Sequence, residues 1–233
     1  MDKTEELKKA AAEAAIDFIR AGMLVGLGTG STAEYAIEEL SRRVRDGRLS
    51  DISCVPSSRR TRDFAEALGL HLIDLGSVRM VDVTVDGADE IDTAFNLIKG
   101  GGGALLWEKV LAQNSIRNIV VVDESKLSRR LGEHFPVPVE VLGVALEAER
   151  GYLERLGGSA RLRLSGDGSP FITDQGNYIV DWVFGEIDDP SFFAQRLSAR
   201  AGIAEHGLFI GTATDVIVAF PDEVKHFVIR EEI

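Results

Sequence analysis

The 233-residue chain is short of several things, and each shortage excludes a class of answer. It has one cysteine, Cys54, so no disulfide closes within it, which fits a reducing cytosol. Cys54 sits in the apolar run Ile52–Val55, where a buried inert thiol is expected rather than a nucleophile. Basic residues are outnumbered: 26 Lys and Arg against 38 Asp and Glu leave a net charge of −12. Nucleic-acid binding needs a basic face to displace counterions, so that class of partner is excluded. There is no apolar run of 18 residues, so no membrane-spanning helix is expected. The first 22 residues carry acids near the start and read as an amphipathic helix, not a signal peptide, with Leu7, Ala11, Ala14, Ala15, Phe18 and Ile19 on one side.

What is present suffices for a core: 45% hydrophobic residues over a length that favours one or two domains. The acidic balance sets a condition on any anionic substrate. Local lysines, hydroxyls and backbone N–H groups must hold it against the field of the whole protein.

In the first half, strand-like runs at Met23–Gly28, Ile52–Ser57, His71–Leu75, Val81–Val85 and Asn118–Asp123 alternate with helical patterns at Ser31–Arg45, Thr61–Leu68 and Leu105–Ser115. Ile119–Val122 is wholly apolar, as in a strand covered on both faces. The alternation predicts an α/β fold, a mainly parallel, Rossmann-like sheet flanked by helices. Beyond Pro136 and Pro138 the pattern changes. Strands at Val137–Leu142, Ala160–Leu164, Tyr178–Phe184 and around Leu208–Ile210, with helices at Ala145–Leu156 and Pro190–Ala201, give a ferredoxin-like β-α-β-β-α-β order. Asp215–Phe220 is expected to return to the first sheet. The expected division is a catalytic α/β domain at 1–131 and 206–233 and a small α+β domain at 132–205 that carries subunit contacts.

Four segments carry chemistry. Gly28-Thr29-Gly30-Ser31-Thr32 joins a strand to a helix, and its glycines, hydroxyls and free helix-start N–H groups form an anion cradle. It is not a dinucleotide fingerprint, since Ser31 stands where the third glycine belongs, and it lacks the lysine of a Walker loop. A capped tight turn is the plainer alternative. Asp82–Asp92 places five acids in eleven positions at a strand end: a place to hold sugar hydroxyls or tune an acid, a magnesium site, or a solvated acidic loop. Lys99 precedes four glycines, Gly100–Gly103, which open a helix; so much chain freedom in a packed domain favours function over a plain linker. Glu108 lies in that helix's first turns, a candidate base or else a surface acid facing the dipole. Lys126 follows the most apolar strand, reaching the same sheet edge or lying in solvent.

The strings GLGTGSTA, VDGADEID and IKGGGGALLWEK, in this order and spacing, closely resemble the ribose-5-phosphate isomerase A family. The pieces Asp123–Lys126, Phe135–Val141, Thr173–Asn177 and Gly207–Phe209 extend the resemblance over roughly residues 4 to 228. It implies interconversion of ribose 5-phosphate and ribulose 5-phosphate in the pentose phosphate pathway, in the cytoplasm, with no metal or other cofactor, by a homodimer or homotetramer. By position, Thr29, Gly30, Ser31, Thr32, Asp86, Gly87, Ala88, Asp89, Lys99, Gly100, Gly101, Gly102 and Lys126 match the substrate-binding segments. Glu108 matches the catalytic base, and Lys8 a phosphate-side lysine. The chemistry suits these roles. One carboxylate moves a proton between C1 and C2 through an enediolate, as the glutamate of triosephosphate isomerase does in the general account of pKa tuning. Lys99 and glycine N–H groups stabilise the oxyanion, Asp86 and Asp89 hold hydroxyls or assist ring opening, and Ser31 and Thr32 hold phosphate.

The chain departs from the family at Arg59-Arg60, which either attract phosphate or sit in solvent, and at the bulky Trp182-Val183-Phe184, suited to subunit contacts or to core. Three rivals stand beside the isomerase. A sugar-phosphate sensor would need a DNA-binding segment that the sequence does not show. A coenzyme A transferase would form a thioester on its glutamate. A magnesium-dependent phosphatase would lose activity in EDTA.

Overall fold

The structure, a computed structural model, describes residues 3–229. In chain order the elements are α1 (Lys3–Ile16), β1 (Leu24–Leu27), α2 (Ser31–Arg45), β2 (Ser53–Pro56), α3 (Arg59–Ala67), β3 (Val81–Asp86), β4 (Glu90–Ile91), β5 (Leu97–Ile98), α4 (Leu105–Gln113) and β6 (Ser115–Asp123). Then come β7 (Val137–Val141), α5 (Leu146–Leu156), β8 (Ser159–Leu162), β9 (Tyr178–Val183), α6 (Pro190–Ser198), β10 (Ile203–His206), β11 (Leu208–Phe209), β12 (Asp215–Ala219) and β13 (Val224–Val228). The chain forms two compact units. The first runs through Ala88 and includes Trp107–Lys126 and the chain from Thr212 on; the second holds Asp89–Leu106 and Leu127–Gly211.

The first unit is built on a six-stranded sheet in the order β13-β12-β6-β3-β1-β2, parallel except for the β12–β13 hairpin. Its central strands are apolar on both faces because helices cover both: Val25, Val83, Val85, Ile119, Val121 and Ile217 are all buried. Small residues Ala11, Ala12 and Ala15 let α1 lie close against α2 and the sheet, while Ala36, Ile37 and Leu40 recur at helical spacing on the buried side of α2. Cys54 is in this core, and burial pushes its thiol up to about 12, which leaves it inert. Asp215 accepts two bonds from Arg117, at 2.6 and 2.8 Å, and lies 2.6 Å from His226 on β13, which ties the edge strand to β12.

Several boundaries differ from expectation. His71–Leu75 is not a strand of the sheet; it narrows to one bridge, Leu72 to Cys54, and the chain then coils at Leu75–Ser77. β6 starts at Ser115, where a helix end was expected, because Asn114 caps Val110 O at 2.8 Å and its own carbonyl receives Val81 N at 2.8 Å. β13, β10, β4 and β5 were not expected. Two of them span two residues, and β13 is mostly exposed, so none shows a clear apolar period.

The second unit has a four-stranded antiparallel sheet in the order β10-β7-β9-β8, the ferredoxin-like arrangement expected, but its fourth strand is β10, while the strand expected around Leu208–Ile210 is β11, which pairs with β5 in a separate three-stranded sheet. Val137, Val139, Val141, Val180 and Trp182 alternate onto the face covered by α5 and α6. Trp182 belongs to core: it is fully buried, its Nε1 donates to Gly157 O at 2.8 Å, and it meets Phe184 and Phe193.

Pro138 and Glu140 point to the opposite face by the same alternation. Glu140 is fully buried, and its Oε1 accepts Thr173 Oγ1 at 2.8 Å and Asn177 Nδ2 at 2.9 Å. Its Oε2 has no partner among the described residues, and Glu205 stands opposite it in register. Burial pushes the Glu140 carboxyl above the usual carboxylate range, with Glu205 and Asp174 adding to the shift against the Asn177 and Thr173 bonds. A raised folded-state pKa means the group's favourable contribution exists below its ordinary value and is lost as pH rises through the folded value. Glu140→Gln is therefore expected to match wild type near pH 4 and to exceed it at pH 8 by about 1 kcal/mol, roughly 2–4 °C in Tm. Thermal melts across that pH range decide it; a glutamine variant less stable at every pH would refute the account.

Candidate active site

Both units carry residues singled out by sequence, and each set is held by its own local geometry. In the first unit, β1, β2, β3 and β6 end at one edge of the sheet, with Leu27 in register with both Pro56 and Val85 and Asp86 with Val120. That edge is where ligands bind in open parallel sheets. Thr29 leaves β1 there. Its Oγ1 lies 2.7 Å from Ser57 Oγ, 2.9 Å from Ser58 Oγ and 2.9 Å from Thr61 Oγ1, and Thr61 Oγ1 reaches Gly28 O at 3.0 Å. Ser57, Ser58 and Thr61 are all buried. Gly30 adopts φ 119°, a region that favours glycine, and caps α2 with no side-chain bond, so the N–H groups at Ser31 and Thr32 open the helix without a side-chain cap.

Asp86 ends β3 and is buried. Its Oδ1 accepts Thr29 N at 3.2 Å and Gly87 N at 2.7 Å, which brings the cradle and the acidic run together. Gly28 makes this possible, since a Cβ there would stand 2.1 Å from Asp86 Oδ1. Gly87 runs beside Thr32, and Ala88 follows, half-buried. Glu108 is buried in the first turn of α4. α4 ends just before the start of β6, and its Leu111 packs with Val55 and Val81. Lys126 is half-buried in the turn after β6 and makes no ion pair among the described residues.

Lys8 is already engaged, 2.7 Å from Glu5, whose other oxygen accepts Tyr35 Oη at 2.6 Å. Arg59 and Arg60 are exposed at the start of α3, and Arg60 pairs with Glu34 at 2.7 Å.

In the second unit Lys99 is buried, its Nζ 5.7 Å from the Phe209 ring centre, and its N–H donates to Gly207 O at 2.9 Å. Gly100 to Gly103 form a turn closed by Gly103 N to Gly100 O at 2.9 Å. Asp89 Oδ2 accepts Gly101 N at 2.7 Å.

The five acids of Asp82–Asp92 do not converge. Asp82 accepts Leu24 N, Asp86 holds Thr29 and Gly87, Asp89 holds Gly101, and Asp92 accepts Ala94 N and Asn96 N. Glu90, which was not singled out by sequence, is fully buried and accepts N–H bonds from Gly132, Glu133, His134 and Phe135 at 2.9–3.2 Å. Among the described residues no group of three or more His, Cys, Asp or Glu side chains could hold a metal ion. The acids meet separate backbone donors rather than one point. No helix among the described residues is long and apolar enough to cross a membrane.

In sequence and in fold the chain is similar to known proteins. The family described as Ribose 5-phosphate isomerase A (phosphoriboisomerase A) matches residues 53–223. Ribose-5-phosphate isomerase A of Chloroflexus aurantiacus is 52% identical over 223 residues, covering 96% of this chain and 93% of that protein. The Desulfatibacillum aliphaticivorans protein of the same name is 48% identical over 225 residues, covering 97% and 98%. A solved D-ribose-5-phosphate isomerase in complex with phospho-erythronic acid superposes with a TM-score of 0.94 at 41% identity, covering 97% of this chain and 99% of that one. The Methanocaldococcus jannaschii structure gives 0.92 at 39%, with 97% and 99% covered.

Proposed function

The chain belongs to the ribose 5-phosphate isomerase A family, which interconverts ribose 5-phosphate and ribulose 5-phosphate, and on that premise we propose that Glu108 is the base that carries the proton between C1 and C2. The observation that carries this is the Glu108 carboxylate, 4% exposed, in the first turn of the helix that follows the glycine turn. In the aldose-to-ketose direction Glu108 takes the C2 proton of the open-chain sugar. The C–H electron pair becomes the C1=C2 bond of an enediolate, and O1 takes up the negative charge. Glu108 then returns the proton to C1, and the O2 proton passes to O1, so that O1 ends as a hydroxyl and O2 as the carbonyl oxygen.

The first unit supplies Asp86 as a fixed acceptor for a sugar hydroxyl, and Thr29, Gly30, Ser31, Thr32, Gly87, Ala88 and Lys126 for the sugar and its phosphate. The same reading assigns Asp89, Lys99 and the Gly100–Gly102 backbone to the substrate, with the Lys99 ammonium as the charge that offsets the oxyanion. Phospho-erythronic acid, held by a solved relative, presents two carboxylate oxygens where an enediolate carries O1 and O2. It is expected to compete with substrate here. The enzyme is proposed to work in the cytoplasm as a homodimer or homotetramer whose contacts involve the small sheet-and-helix unit. Sequencing the isomerisation in D2O with excess EDTA tests the chemistry. Deuterium is expected at C1 of ribulose 5-phosphate. Any deuterium at C1 rules out direct hydride transfer; full retention of the C2 hydrogen together with wild-type turnover in Glu108→Gln would sink the proposed proton transfer, and loss of activity in EDTA would restore the metal-dependent alternative.

A further inference from the structure

We propose that Arg163 is a positioning residue for this reaction: held by Asp181, it fixes two peptide planes of the glycine turn so that Gly102 N–H becomes a preset donor to the developing oxyanion. The proposal rests on the isomerase reading above. Arg163 follows β8, and its backbone is anchored on both sides, by Arg163 N to Ile179 O at 2.8 Å and Phe171 N to Arg163 O at 2.9 Å. Its Nη1 donates to both Gly100 O and Gly101 O at 2.9 Å. Its Nε donates to Asp181 Oδ2 at 3.0 Å, and its Nη2 donates to Asp181 Oδ1. The carboxylate takes one edge of the guanidinium, and Nη1 meets the loop, a division that a lysine has no fork to reproduce.

A trans peptide is planar, so its C=O and N–H point in opposite directions. In the plane between Gly100 and Gly101, the oxygen is on Arg163 and the N–H is on Asp89, so the plane is pinned at both ends. In the next plane the oxygen is again on Arg163, which turns Gly102 N–H away from the guanidinium. That N–H has no hydrogen-bond partner among the described residues, and Gly102 is exposed. A cation on the two carbonyls also polarises their peptides and strengthens the N–H as a donor. The glycines are needed for the fit. A Cβ at Gly101 would sit 2.6 Å from Asp89 Oδ1, and one at Gly103 2.4 Å from the Phe171 ring. Four consecutive glycines left unclamped would sample many arrangements, and a donor fixed before the reaction avoids that reorganisation in the transition state.

The test is steady-state kinetics on folded Arg163→Ala, Arg163→Lys and Asp181→Asn, with melting temperatures measured alongside. Arg163→Ala is expected to lose about 100-fold in kcat, the scale of a displaced catalytic donor, with KM within about threefold. Roughly 50 mM guanidinium, far below denaturing levels, is expected to restore a measurable part of that loss in Arg163→Ala and none in Glu108→Gln. Asp181→Asn keeps the side-chain shape but loosens the fork, and a loss of about tenfold is expected. A folded Arg163→Ala enzyme with wild-type kcat, or one whose loss guanidinium leaves untouched, overturns the proposal. If the alanine variant does not fold, wild-type kcat in both Arg163→Lys and Asp181→Asn overturns it. In all of these the wild-type enzyme is active; an inactive wild type would instead bring down the isomerase reading itself.

Discussion

Glu108→Gln is expected to lower kcat on ribose 5-phosphate by about a thousandfold, within the range that general acid–base catalysis contributes, while KM changes little. The substitution keeps the side chain's length and its place in α4 but replaces the basic carboxylate with a neutral amide too weakly basic to take the C2 proton. Glu108 is almost wholly buried, so no solvent base replaces it at the same spot. Substrate contacts made elsewhere remain, which is why the loss belongs to kcat. Solvent deuterium entry at C1 should fall with the rate, and a circular dichroism spectrum like that of wild type shows that the fold is intact. A glutamine variant that turns over at the wild-type rate would move the base to Asp86 or Asp89 and leave the substrate assignment standing.

Gly28→Ala is expected to be nearly as damaging, although Gly28 has no chemistry of its own. The new Cβ would lie 2.1 Å from Asp86 Oδ1 and 2.6 Å from Asp86 Cα, and the second is backbone that has nowhere to go. The carboxylate must leave the position in which it accepts Thr29 N and Gly87 N. A reacting group displaced by about 1 Å costs on the order of 100-fold, and overpacking at the strand end adds about 1–3 kcal/mol of destabilisation. Gly76→Ala is the control, because nothing lies within 4 Å of its added Cβ; it should stay within about 0.5 kcal/mol of wild type and keep full activity. Wild-type kcat/KM in a folded Gly28→Ala enzyme would show that the position of Asp86 does not matter to the reaction.

Much of this was legible in the sequence, for physical reasons that can be named. Ile119–Val122 is apolar and β-branched throughout, which favours covered strand over helix, and α2 follows Gly30 where the helix pattern begins, with the bounds expected for it. The β-α-β-β-α-β order pointed to the antiparallel arrangement of the small sheet, as that order does in split units of this kind. What sequence did not reveal are interactions between distant polar residues. Arg163 lies some sixty residues from the glycines it holds, in a stretch with no apolar period. Glu90 lay within a run of acids whose composition suggested a cation, whereas each acid serves a different backbone donor. Edge strand β13 was missed because an exposed strand carries no alternation to read.

The hydroxyls around Thr29 have a polarity as well as a position. Gly28 O can only accept, so the Thr61 proton is committed to it. Ser58 then gives its proton to Thr61, and Thr29 gives its own to Ser58. The proton between Ser57 and Thr29 must therefore come from Ser57. The row runs one way, like arrows laid head to tail, and its open end at Ser57 presents lone pairs rather than a hydrogen. An incoming phosphate, itself all acceptors, would find nothing to bind at that end. On the proposed reading, the polarity of these four hydroxyls, three of them buried and Thr29 half-buried, would steer the anion away from β2 and toward the N–H groups that open α2.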